Sequence, residues 1–357
     1  MNERDTDMAT TPSPRTTAAA RARAAVAPLA AAGLLATLVA AVPAAPAAAA
    51  EHDVCAEAYA AVDAIHGTPS PAACTFIAAQ ERFGTMPTSP ERVDAYGRLF
   101  AEDATLWEPG PPGRLIRGRE AITAAISGTL ALVPDFAFHG ERVAVEGDAV
   151  MFEADNTFTL GNGADVRYPA VYRVQVDDDG EVVQGRRYYD RATWFTSVAP
   201  ELPAPFADVA DRGAPERGAV RAPDRDALAE RGRAWNGEDV RALLAASRGA
   251  PLTGPGIDGE LRTEHGKRAY LRALFAEVED VDLDLGQVIE VDGATYAEWH
   301  GTVTAEGEQS TFGIIERLGD TGGRRPELDT WTLTFDTLPL VADQETTRDL
   351  YARISGL

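Results

Sequence analysis

The strongest constraint on this chain is an echo inside it. "ERVAVEGDAVMFEADNTFT" at 141–159 returns, diverged, as "GQVIEVDGATYAEWHGTVT" at 286–304, placing Val143 on Val288, Glu153 on Glu298 and Thr157 on Thr302. The same offset of 145 sets Asp94 on Asp239, Leu99 on Leu244, Ala101 on Ala246 and Ala131 on Ala276. Near the end the offset becomes 146, so "YYDRATW" faces "TFDTLPL", Tyr188 meets Thr334 and Asp190 meets Asp336. Solenoid repeats have periods of roughly 20–50 residues. A period this long predicts two tandem copies of one domain, at 76–198 and 225–340. A Pro- and Ala-rich linker without sustained periodicity is expected at 199–224, and a tail at 341–357 whose "TTRDLYARISGL" reads as helical.

One copy reads as α+β. Val93, Tyr96, Leu99 and Phe100 have helical spacing across 91–102, behind the start signal Ser89-Pro90. Ile122, Ile126, Leu130 and Val133 give a second amphipathic helix. The period then changes to two. Strands are expected on either side of Glu146-Gly147-Asp148, and two more around Asp178-Asp179-Gly180. Helices followed by a meander predict two cone-shaped domains, each with N-terminal helices packed on a curved antiparallel sheet and an interior pocket.

The formal charge is −23 and Lys267 is the sole lysine. Such an acidic chain offers no basic patch, which excludes nucleic acid as a partner class. Arg15, Arg21 and Arg23 precede an uncharged stretch containing "LLATLV", and "APAAAA" ends at Ala50. This is a secretory signal pattern over 1–50, with cleavage before Glu51 and no membrane contact afterwards; an uncleaved N-terminal anchor is the alternative. Cys55 and Cys74, an even pair in an exported chain, are expected to form a disulfide within an N-terminal segment, 51–75. The five histidines lack metal-pair spacing, and nothing in the sequence calls for a metal or a cofactor.

"LFAEDATLWEPG", "GREAI" and "YRVQVDDDGEVVQGRRYYD" together resemble the nuclear transport factor 2-like superfamily, and within it the SnoaL-like and ketosteroid-isomerase-like proteins. The resemblance covers about 76–196, and 226–340 only through the repeat. It implies a pocket for a small lipophilic molecule and acid–base chemistry of isomerase, cyclase or hydrolase type. Glu108, ahead of Pro109, stands where relatives keep a proton-shuttling carboxylate. The tyrosine and protonated aspartate of the isomerase oxyanion hole have no counterparts: Phe76 and Ala170 fall near those positions. Tyr188 and Asp190 match the late-strand context in which other relatives hold a catalytic Asp.

Alternation places Arg186, Tyr188 and Asp190 on one face of their strand. If that face looks inward, they oppose Glu108, with Trp107, Phe152, Tyr172, Arg186 and Trp194 as pocket wall. In the second copy Glu298 and His300 share a face with Tyr296, and Asp336 matches Asp190, so these are its site candidates. Glu108 has become Thr253 there, which leaves the chemistry with the first copy. The second copy is then its packing partner in an intramolecular pseudo-dimer. Two function classes stay open: an exported acid–base enzyme, or a non-catalytic binder of a ligand or protein.

Overall fold

The structure is a computed structural model that describes residues 47–109, 114–216, 223, 225–305, 307–319 and 330–356. Residues 1–46 of the expected leader lie outside the described residues, and Ala47–Ala50 open the first helix. Among the described residues no helix is long and apolar enough to cross a membrane.

The fold is α+β and built on two sheets. The first opens with α1 (Ala47–Ala61), β1 (Ile65–Pro69), α2 (Pro71–Thr85) and α3 (Pro90–Gly97). Then come β2 (Phe100–Glu108), β3 (Arg114–Arg117) and α4 (Arg119–Leu132). The meander β4 (Ala137–Gly147), β5 (Ala149–Thr159), β6 (Asp165–Val176) and β7 (Val182–Tyr189) ends at the short α5 (Ala192–Phe195). Sheet order is β1-β4-β5-β6-β7-β2-β3. Ser70 and Ser89 cap α2 and α3 through their side chains, each followed by a proline in the first helical turn. The helix expected over 91–102 stops at Gly97. Phe100 instead begins β2, because the apolar residues of "FAEDATLW" must bury on both faces of a central strand. The expected disulfide is present, joining Cys55 of α1 to Cys74 of α2 with Cα atoms 4.9 Å apart.

The second sheet follows α6 (Arg225–Asn236) and α7 (Val240–Ala246). It is built from β8 (Leu252–Thr253), β9 (Glu279–Val291), β10 (Ala294–Ala305), β11 (Glu308–Gly319) and β12 (Trp331–Thr334), with α8 (Glu264–Ala276) before β9. Its order is β8-β12-β11-β10-β9. Residues 199–216, the described run of the expected linker, are not a free tether. Phe206 is buried against Tyr270 with ring centroids 4.4 Å apart, and Asp211 accepts the backbone N–H groups of Arg262 and Thr263 at the start of α8. The tail forms α9 (Leu338–Val341) and α10 (Gln344–Ser355), and Leu350 and Ile354 of α10 join the core of the first sheet.

Each sheet buries one face under its helices. The other faces meet each other in a third apolar cluster, with Ala144, Met151, Val171 and Tyr188 against Ile289, Tyr296 and Ile315. A sheet apolar on both faces needs two partners, and the sheet-to-sheet contact supplies the second.

Candidate functional site

β7 decides which residues see the interior. Its helix-facing side chains are Arg187 and Tyr189, while Arg186 and Tyr188 face the second sheet. Arg187 Nη1 donates to Glu108 Oε1 at 2.5 Å, and Arg187 Nη2 donates to the Tyr96 hydroxyl. The guanidinium also stacks over the rings of Tyr96 and Tyr172, at 5.3 and 5.4 Å from their centroids. Burial opposes the charge of Arg187, but Tyr96 and Glu108 outweigh it and its pKa is raised. Tyr172, pushed up to about 12 by burial, donates to Asn156 Oδ1 at 2.5 Å.

Around this polar centre stands an aromatic wall. Tyr189 stacks on Trp194 at 5.5 Å, and Phe158 meets Trp194 edge-on at 5.4 Å. An inner chamber of about 40 Å³, room for a water or two, lies among Glu108, Arg187, Tyr172, Tyr168 and Phe136. It shares Glu108, Thr129, Val133, Phe158, Tyr189 and Trp194 with an outer cleft of about 500 Å³. Arg348, Tyr351 and Ile354 of α10 complete that cleft, so a tail helix frames the mouth. Trp194 Nε1 is buried with no hydrogen-bond partner among the described residues.

Of the residues expected at the pocket, Glu108, Tyr172 and Trp194 are there. Phe152 is fully buried core, stacked on Tyr172 at 6.1 Å and outside the chamber lining. Trp107, Arg186 and Tyr188 are on the opposite face of the sheet. Asp190 does not oppose Glu108. It sits beyond the strand end, where Oδ1 accepts the backbone N–H of Thr337 at 3.0 Å and its hydroxyl at 2.7 Å. Burial, then the nearby Asp336, raises the Asp190 pKa to about 6. Asp336 in turn receives Arg191 Nε at 2.7 Å.

The sequence reading split one cluster between two domains. Tyr188 donates to Glu298 Oε1 at 2.6 Å and lies 3.4 Å from His300 Nδ1. Arg186 Nη1 and Arg173 Nε reach the two oxygens of Glu298, each at 3.1 Å. Burial opposes the Glu298 charge, but the two arginines outweigh it and its pKa is lowered. Burial, reinforced by Arg186, pulls His300 down to about 4. Two glycines make room: a Cβ on Gly286 would lie 2.2 Å from Glu298 Oε2, and one on Gly313 would lie 2.7 Å from the Tyr188 ring.

The interior of the second unit is filled. Glu316 accepts Arg231 Nε at 2.6 Å and Nη2 at 2.5 Å. It also takes the indole N–H of Trp331 at 2.6 Å, of Trp299 at 3.0 Å and of Trp235 at 3.4 Å. Sequence reasoning missed Arg187, Tyr96, Arg231 and Glu316. For Glu316 a signal existed, a lone carboxylate inside the apolar run "FGIIERL".

A helix-covered sheet with an aromatic cleft and one ion pair at its inner end is what the first half of this α+β fold presents. Residues 89–185 match the family model described as SnoaL-like domain. Among solved structures, the chain is similar to a protein of Jannaschia sp. CCS1 named as a SnoaL-like polyketide cyclase. That pair is 20% identical over 37% of this chain and 97% of the other, with a TM-score of 0.33. IdmH of Streptomyces antibioticus, named as a polyketide cyclase, is 21% identical over 35% and 96%, with a TM-score of 0.30. An LEH-like epoxide hydrolase of M. tuberculosis is 22% identical over 35% and 90%, with a TM-score of 0.29. No curated protein matches the chain.

Proposed function

We propose that this is an exported protein of two tandem SnoaL-like copies that binds a small lipophilic molecule in the cleft of the first, against the Glu108–Arg187 pair. The second copy is the packing partner in an intramolecular pseudo-dimer. The observation that carries the reading is the difference between the interiors. One holds a cleft of about 500 Å³ ending at an ion pair, while the other is plugged by Arg231, Glu316 and three tryptophans. The offsets of 145 and 146 support tandem copies. So does strand register: Arg173 sits opposite Met151 as Arg317 sits opposite Tyr296, and each arginine reaches a carboxylate of the other copy, Glu298 and Glu153. The leader pattern over 1–50 and the Cys55–Cys74 disulfide support export.

Glu108 is the group placed for acid–base chemistry of isomerase or cyclase type, since it is the carboxylate that borders both chambers. One observation favours the second reading, binding without turnover. The Glu108 carboxylate is already engaged by Arg187 Nη1 at 2.5 Å rather than left free toward the cleft.

The test is a thermal-shift screen with steroids, aromatic polyketides, terpenes and fatty acids. A ligand of the native state raises stability by about 2.7 kcal/mol at 100 times its Kd. Gly128 lines the cleft and a Cβ there meets nothing within 4 Å, so Gly128→Trp blocks the cleft without disturbing the core. A shift that survives Gly128→Trp overturns the cleft assignment. With a ligand in hand, Glu108→Gln separates the readings: lost turnover with retained affinity marks an enzyme.

A further inference from the structure

Beyond the cone there is a second recess, on the opposite face of the first sheet. β7, β2 and β3 lie side by side there, and their register sets Thr105 beside Gln184 and Arg117, and Trp107 beside Arg186 and Leu115. The second sheet closes one side with His300 and Thr311. The recess measures about 370 Å³.

Its chemistry differs from the rest of the molecule. The chain carries 56 acidic residues against 33 Lys and Arg, yet among the described residues this lining has two arginines and no carboxylate. Arg186 shares the buried Glu298 with Arg173, so one carboxylate serves two guanidiniums and a positive charge is left over. Arg117 of β3 is exposed and has no ion-pair partner among the described residues. Gln184 spends its carbonyl oxygen on Arg173 Nη1 at 2.6 Å, which leaves its NH₂ group as a donor. The apolar side is equally specific. Among the described residues Leu115, at 48%, is one of three large apolar side chains exposed, and the Trp107 indole N–H, buried beside it, has no acceptor there. At physiological salt a Debye length of about 8 Å screens the distant acidic surface, so the local arginines dominate the field in the recess.

We infer that this recess between the two sheets is a binding site for a small aromatic carboxylate, its carboxylate held by Arg117 and Arg186 and its ring laid against Trp107 and Leu115. A planar carboxylate suits a guanidinium, which binds it through two parallel hydrogen bonds. This site is separate from the Glu108 cleft and stands whether or not that cleft takes a ligand.

Calorimetric titration with benzoate tests it, with benzyl alcohol and inorganic phosphate as parallel probes. Saturable binding of one benzoate is expected, weakened about tenfold or more by Arg117→Gln and by Leu115→Glu, and unchanged by Gly128→Trp. Arg117 and Leu115 are exposed, so both variants fold. Absence of saturable benzoate binding overturns the inference. So does benzoate binding that Gly128→Trp removes and Arg117→Gln leaves intact, which puts the anion in the cone. Equal affinity for phosphate overturns the aromatic half of the assignment, and equal affinity for benzyl alcohol overturns the ionic half.

Discussion

Asp190 and Asp336 each hold the residue that directly follows the other. Asp190 Oδ1 accepts the backbone N–H of Thr337 at 3.0 Å, and Asp336 Oδ1 accepts the backbone N–H of Arg191 at 3.0 Å. The exchange is reciprocal, residue i to j and j to i, which is the pattern the proposed pseudo-dimer of two copies calls for. It gives both aspartates a reason to exist at the junction without any chemistry.

The two halves of this exchange are unequal in charge. Asp336 also receives the Arg191 guanidinium, which is 2% exposed, whereas Asp190 receives neutral donors. Asp336→Ala therefore leaves a buried cation without its carboxylate and is expected to cost about 3–5 kcal/mol. Asp190→Ala loses hydrogen bonds to neutral groups and is expected to cost about 1–3 kcal/mol. Urea unfolding of both variants checks the order, and a larger loss in Asp190→Ala refutes it.

Stability should depend on pH through two opposed groups. Asp190 is raised to about 6 by burial and Asp336, so the folded state holds its proton more tightly than the unfolded chain does. Its contribution is present below the unfolded carboxyl value near 4 and is lost as pH rises to about 6. His300 is lowered to about 4 by burial and Arg186. Its contribution is present above about 6.5 and is lost as pH falls to about 4. The two slopes cancel in part between about pH 4 and 6. Relative to the parent, Asp190→Asn should make stability rise more steeply with pH in that window, and His300→Gln should make it rise less. Unfolding midpoints at several pH values read both slopes, and parallel curves for all three proteins contradict the assignment.

Glu316 concentrates five donors from four side chains in the second interior. Glu316→Gln leaves Arg231, whose side chain is 1% exposed, without its ion-pair partner. A loss of about 3–5 kcal/mol is expected, with a changed near-ultraviolet circular dichroism signal from the three indoles. Ligand shifts in the first cleft should persist. If the variant instead abolishes them, the two interiors are coupled.

Gly313 admits the Tyr188 ring to Glu298 across the junction. Gly313→Ala places a methyl group 2.7 Å from that ring and 2.9 Å from His300 Nδ1, two groups already packed on each other. Overpacking of this kind costs about 1–3 kcal/mol. A Tm equal to the parent's speaks against a close-packed junction.

Opening the Cys55–Cys74 bridge, 19 residues apart, should cost about 3 kcal/mol by the chain-entropy account. Comparing oxidised protein with Cys55→Ser/Cys74→Ser in urea measures it.

Much of the fold was legible in the residues. The change of period from helical to two located α4 and the meander, because spacing reports local geometry directly. The two cysteines, even in number, pointed to the bridge between α1 and α2. At "LFAEDATLW" local reading failed. The apolar spacing there suits a helix as well as a strand buried on both faces, and pairing with β7 and β3 chose the strand. The role of "TTRDLYARISGL" was likewise invisible. Its amphipathic pattern gives a helix, but only packing sends Leu350 and Ile354 to the first core rather than the adjacent second one.

By itself the sequence determined which strand residues share a face: Arg186 with Tyr188, and Glu298 with His300 and Tyr296; Asp190, expected on the first of these faces, lies past the end of β7. Alternation is a property of one strand and needs no partner to be read. What only the tertiary structure decided is which of the two faces turns inward. Both faces of β7 carry an arginine and a tyrosine, so hydropathy does not rank them. The choice fell to the helices that cover Arg187 and Tyr189 and to the second sheet that covers Arg186 and Tyr188. Burial of a face depends on what packs on it, and that partner lies far away in the chain.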